Sequence, residues 1–181
     1  MIIGILGLQG DVIEHCKGLT GLSVAVRLVK RPEDLSGIQG LVMPGGESTA
    51  ITKLMVNAGL AGPVKALVKS GMPVWGTCAG VVMLCRGGLI GAFDATVKRN
   101  AYGPQIYSCV KKGHVKGYET SLSMVFIRAP KILSVSDRVE ILSVVDDNIV
   151  AARQDNILLT TFHPELTSDQ YMARYFTSMI G

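Results

Sequence analysis

Apolar and polar positions follow one rhythm up to about Arg86 and another after it. In the first stretch, short β-branched or apolar runs at residues 2–8, 23–29, 40–43 and 73–76 read as buried strands. Between them, residues 11–18, 49–57, 61–69 and 79–85 carry helical patterns. Strands alternating with helices predict an α/β fold, a mostly parallel sheet covered on both faces by right-handed crossovers. After Arg86 the chain turns to glycine-rich connections and short alternating runs. Residues 139–145, 149–154 and 158–162 read as strands, with Asp147-Asn148 and Asp155-Asn156 as hairpin turns. This half is expected to be partly antiparallel, so the whole sheet is mixed. Residues 168–180 predict a closing helix with Ser168 or Thr167 as N-cap.

At 181 residues there is room for one substantial core, and the expectation is a single domain over 1–181. Hydrophobic residues make up 48% of the chain, which excludes a disordered protein. No apolar run reaches the ~20 residues of a membrane span. The first residues lack the charged start and cleavage pattern of a secretory signal, which predicts a cytoplasmic protein. A net charge of +4, without a basic stripe studded with aromatics, gives no footprint for nucleic acid. Cys16, Cys78, Cys85 and Cys109 fall at no zinc-like spacing, so free thiols and no metal are expected.

Three segments carry candidate chemistry. In Pro73 to Leu84, a strand enters a helix through Gly76-Thr77-Cys78-Ala79-Gly80, the thiol counterpart of a nucleophile elbow. Small residues at 76 and 80 let strand and helix approach, so Cys78 projects above the sheet beside a helix N-terminus that favours thiolate. Taken alone, the pattern suits a small buried residue equally well. Cys16, Cys85 and Cys109 lack this setting and read as ordinary thiols.

Phe162-His163-Pro164-Glu165 supplies a base and its orienter, since an extended His-Pro step puts residues two apart on one side. Glu165 then accepts from one ring nitrogen of His163 and leaves the other for the thiol proton. Without an elbow elsewhere, a surface turn would explain the segment. His15 and His114 have no such partner pattern and read as ordinary surface or loop residues. The third segment, Leu41 to Thr49, ends a strand in Gly45-Gly46 before a helix. Backbone amides of Gly46 and Ala79 could stabilise an oxyanion, an effect of roughly 3 kcal/mol per donor. It also reads as a plain strand-to-helix turn with Ser48 or Thr49 as N-cap, and the two readings are compatible. No Gly-Lys-Ser/Thr follows, so it is not a P-loop.

Together these motifs resemble the class I, triad-type glutamine amidotransferases. Within them the chain is similar to the glutaminase subunits of pyridoxal 5′-phosphate synthase, on Gly4-Ile5-Leu6-Gly7-Leu8-Gln9-Gly10, Leu41 to Thr49, Arg99-Asn100, Phe126-Ile127-Arg128-Ala129-Pro130 and Phe162 to Thr167. These segments span essentially the whole chain. The resemblance implies a flavodoxin-like three-layer sandwich and hydrolysis of L-glutamine to L-glutamate and ammonia by Cys78, His163 and Glu165. It implies glutamine contacts at Gly46, Glu47, Ser48, Arg99, Ile127 and Arg128, with no bound cofactor. The implied partner is a larger barrel-fold synthase subunit, which joins the ammonia to a pentose phosphate and a triose phosphate.

The chain departs from the family pattern at Lys98, Pro104 and Ser108-Cys109-Val110, and its connection between Arg86 and Asp94 is short. Rival readings are a glutaminase serving another biosynthetic acceptor, a cysteine hydrolase of another amide, and a silent regulatory subunit.

Overall fold

The computed structural model describes residues 1–99, 101 and 108–181. Asn100 and Pro104, singled out above, lie outside them. Among the described residues eleven strands and five α-helices run in the order β1 (Ile2–Leu6), α1 (Val12–Thr20), β2 (Ala25–Val29), β3 (Gly40–Met43), α2 (Ser48–Asn57), α3 (Ala61–Lys69), β4 (Val74–Thr77) and α4 (Ala79–Leu84). There follow β5 (Ala95–Lys98), β6 (Cys109–Gly113), β7 (Leu122–Phe126), β8 (Lys131–Val135), β9 (Glu140–Val145), β10 (Asn148–Gln154), β11 (Ile157–Thr160) and α5 (Tyr171–Ser178).

The main sheet has the order β2-β1-β3-β4-β11-β10-β8-β5, with β9 also paired to β10. Its first five strands are parallel. From β10 onward every pair is antiparallel. A separate hairpin, β6–β7, stands off this sheet. The expected α/β architecture, with a mixed sheet built on parallel strands, is therefore present.

Alternation along each parallel strand sends neighbours to opposite faces, and two cores result. Leu41, Met43, Val74 and Leu159 pack with Met55, Val64 and Val81 of α2, α3 and α4. Val42, Trp75 and Leu158 pack on the other side with Leu19 of α1 and Met172 and Phe176 of α5. Because strands covered on both faces are apolar throughout, residues 40–43, 74–77 and 157–160 are buried without exception.

Several boundaries differ from expectation. The first strand ends at Leu6, and the strand preceding the His-Pro step ends at Thr160 rather than Phe162. The closing helix starts at Tyr171, with Gln170 as N-cap in place of Ser168 or Thr167, and Asp169 Oδ1 accepts from the Tyr171 amide. Helix α2 is capped by the Glu47 carboxylate, which accepts from Thr49 and Ala50, and not by Ser48 or Thr49. The second hairpin turn falls at Asp155-Asn156 as expected, whereas the first is one residue earlier, at Asp146-Asp147, with Asn148 opening β10; Asp146, Asp147 and Asp155 lie in the left-handed region that tight hairpins require. The short connection from Arg86 to Asp94 is closed by a Cys85–Phe93 bridge and by the Arg86 amide donating to Ala95. Of the other departures, Lys98 ends β5, and Cys109 and Val110 begin β6.

Candidate active site

The site lies beyond the C-terminal ends of β1, β3, β4 and β11, where an open parallel sheet places its ligands. Cys78 sits between β4 and α4 at φ 44° and ψ −97°. A non-glycine residue there carries strain of roughly 1–3 kcal/mol, and the surroundings hold it. The Cys78 amide donates to Thr160 at 2.9 Å, so β11 fixes one side of the elbow. A Cβ on residue 76 would fall 2.6 Å from Leu84 Cδ1, and the two glycines thus permit the approach inferred from their spacing. The thiol is 6% exposed and faces the Ile127 carbonyl at 3.7 Å. Cys85, by contrast, is fully buried behind the elbow, and burial pushes its thiol up to about 12. Its thiolate form is disfavoured at neutral pH.

His163 follows β11, and its amide donates to Val125 of β7 at 2.8 Å. Its Nδ1 lies 2.8 Å from Glu165 Oε1. The expected pairing is therefore present, although Glu165 reaches the ring from a 3-10 turn over Pro164–Leu166 and not from extended chain. Glu165 is nearly inaccessible, at 1% side-chain exposure. With Nδ1 occupied, buried Nε2 has no hydrogen-bond partner within the described protein and is the nitrogen left to exchange a proton. Burial by itself would lower the His163 pKa; the neighbouring Asp11, Cys78 and Glu165 side chains outweigh it and raise the value to about 12. These contacts favour the protonated ring.

Two further side chains converge here that the residue pattern did not single out. Asp11 Oδ2 lies 3.3 Å from His163 Nδ1. His15, expected at the surface, is only 2% exposed. Its Nε2 is 3.1 Å from Thr77 Oγ1 and 3.5 Å from Glu165 Oε2, while its ring packs edge-on against Trp75. The signal available was position: both follow the loop beyond β1, on the edge that carries the elbow. Ligand atoms of Asp11, His163 and Glu165 lie within 4.8 Å of one another, but they meet around an imidazole nitrogen already hydrogen-bonded to carboxylate. Such a cluster is a proton-holding network.

A cleft of about 800 Å³ opens above Cys78 and is lined by Gly46, Glu47, Ser48, Ala79, Arg99, Ile127, Arg128 and His163 among others. Of the residues expected to act in catalysis, in the oxyanion site or in glutamine contact, all line it except Glu165, which stands behind His163. The Arg99 guanidinium donates to Ser48 Oγ at 2.6 Å and Thr49 Oγ1 at 2.7 Å, beside the Glu47 carboxylate at 3.5 Å. Backbone bonds to Thr49 and Ala50 are the main reason the Glu47 pKa is lowered. One wall thus presents fixed positive and negative charge about the α2 N-terminus, suited to the two charged ends of an amino acid.

The chain matches the SNO glutamine amidotransferase family over residues 5–181. It is 42% identical to the pyridoxal 5′-phosphate synthase subunit PdxT of Thermosipho africanus over 186 residues, covering 99% of both chains. It is 47% identical to the subunit of the same name from Streptomyces coelicolor over 188 residues, covering 99% of this chain and 93% of the other. A crystal structure of a glutamine amidotransferase superposes over the full length of both chains with TM-score 0.93 and 38% identity. The elbow, the paired base and the whole-length match agree: the chain belongs to the SNO glutamine amidotransferase family and is a glutaminase subunit of pyridoxal 5′-phosphate synthase.

Proposed function

We propose that Cys78, His163 and Glu165 hydrolyse L-glutamine and that the ammonia passes to a barrel-fold synthase subunit. The observation that supports the triad best is the division of the His163 ring, with Nδ1 held by Glu165 and buried Nε2 unpartnered. In this reading the Cys78 thiolate attacks the side-chain carboxamide carbon and forms a C–S bond. The developing oxyanion accepts from the Gly46 and Ala79 amides. His163 delivers its proton to nitrogen as the C–N bond breaks, releasing ammonia and leaving a γ-glutamyl thioester. A water deprotonated by His163 then cleaves the thioester to glutamate, and Cys78 is regenerated. Glu165 stays ionised and orients the ring.

Arg99 and Arg128 meet the α-carboxylate of glutamine, and Glu47, Ser48 and the Ile127 backbone meet its ammonium end. Residues 1–181 act as one amidotransferase domain, both cores sharing one sheet. Among the described residues no helix is long and apolar enough to cross a membrane, and a cytoplasmic setting goes with this reading. Free ammonia is wasted without an acceptor, so the isolated chain is expected to turn over glutamine slowly and the synthase to accelerate it.

Glutamine turnover is to be measured for the chain alone, with saturating synthase, and for Cys78→Ser with synthase. Slow turnover is expected in the first case, fast turnover in the second and none in the third. Substantial turnover by Cys78→Ser would remove the nucleophile, and full turnover by the chain alone would remove the coupling.

A further inference from the structure

Aspartate at a helix N-cap ordinarily accepts from the amides of the first turn. Asp11 occupies the N-cap of α1, yet its side chain caps nothing. Its carboxylate points instead at His163 Nδ1, 3.3 Å away, beside the 2.8 Å contact from Glu165. An imidazole carries a single hydrogen on Nδ1, so two carboxylates face one donor. They approach from different surroundings, since the Asp11 side chain is one-third exposed on the cleft and that of Glu165 is sealed beneath the ring.

Asp11 is also tied to the oxyanion loop. Its amide donates to the Gly45 carbonyl at 3.2 Å, and a Cβ at residue 45 would fall 2.6 Å from Asp11 Oδ2 and 2.5 Å from His163 Cε1. Two residues upstream, Gln9 Oε1 accepts from the Glu47 amide. The loop after β1 therefore grips the Gly45–Glu47 segment while its carboxylate holds the base.

We propose that Asp11 is a positioning residue for His163, a second carboxylate that shares the Nδ1 hydrogen with Glu165 and holds the ring in register with the oxyanion loop. When the proton moves from Cys78 Sγ to His163 Nε2, nothing enters or leaves the site, and two anions face the new imidazolium. Either carboxylate sustains the base when the other is lost. The inference rests on His163 being the base.

The groups facing His163 are Asp11 from the start of α1, Cys78 from the elbow and Glu165 from the 3-10 turn. His15 of α1 lies behind Glu165, with Glu14 beside it. The test is therefore made first without the thiolate. In Cys78→Ser protein, the His163 ring is titrated by NMR with and without Asp11→Asn; with three histidines in the chain, assignment is direct. Loss of the Asp11 charge should lower the His163 pKa by about one unit, as for removal of one neighbouring charge.

Steady-state kinetics with saturating synthase supply the second arm. Asp11→Asn is expected to lower kcat by roughly tenfold with KM little changed. Combined with Glu165→Gln, the loss should exceed the product of the two single losses. An unmoved His163 titration, or a double loss no larger than that product, overturns the proposal. The titration reads the contact itself, so its failure is distinct from failure of the base assignment, which persistent activity of His163→Asn would reveal.

Discussion

The carbonyl oxygen of Met43 stands 2.2 Å from where a Cβ on residue 80 would lie, so the strand carrying the oxyanion loop and the helix carrying the nucleophile touch through a missing side chain. Gly80→Ala must push β3 and α4 apart and should cost about 2–3 kcal/mol. At this chain length that lowers Tm by roughly 4–12 °C. Gly18→Ala is the control, because a Cβ there meets nothing within 4 Å and Ala is favoured inside a helix. Thermal melts of the two variants check the contrast; equal Tm values would mean that the elbow can relax.

Arg99 joins the far wall of the cleft through contacts to Ser48 and Thr49. Its ion pair with Glu47 is half exposed on both sides, so Arg99→Ala should change stability by no more than about 1 kcal/mol. The loss is expected in glutamine affinity, with KM raised on the order of tenfold or more and alkylation of Cys78 by a small uncharged reagent nearly unchanged. Calorimetric titration of glutamine into the variant checks it, and unaltered binding would free Arg99 from the substrate.

Burial holds the His15 pKa below 6.5, against the favourable field of Glu165 and Asp11. A histidine kept neutral in the fold but free to protonate when unfolded contributes stability that is present above pH 6.5 and lost as pH falls through its folded value. His163 behaves oppositely, its contribution being complete below 6.5 and lost as pH rises toward 12. His15→Gln leaves the latter unchanged, so the comparison isolates His15. Between pH 6.5 and 5 the variant should lose less stability than the parent, measured as urea midpoints; parallel curves would show that His15 does not titrate in this range.

The parallel half of the fold was legible because strands covered on both faces are uniformly apolar and the helices between them are periodic. The elbow and the His163–Glu165 pairing were legible because two glycines around a cysteine, and a histidine two residues before a glutamate, constrain geometry locally. The strands β5 to β8 were not foreseen. Lys111 and Lys112 in β6 and the half-exposed β8 give weak alternation, and their pairing depends on partners far along the chain. His15 and Asp11 were missed for a related reason. Nothing near either residue names a partner, and both acquire one only when residues more than sixty positions away fold against them.

Strand β11 lies in the middle of the sheet, flanked by β4 on one side and β10 on the other. It is also the last of the described strands in chain order, and it carries the clamp on the Cys78 amide and the run into His163. A chain growing on the ribosome therefore holds its thiol for some eighty residues before the base exists, with a gap where the sheet's centre belongs. Closing that gap pairs Val74 with Ile157, a contact of long sequence separation that is slow to form. Until that gap closes, an unfinished chain has a thiol without the histidine that the proposed mechanism pairs with it.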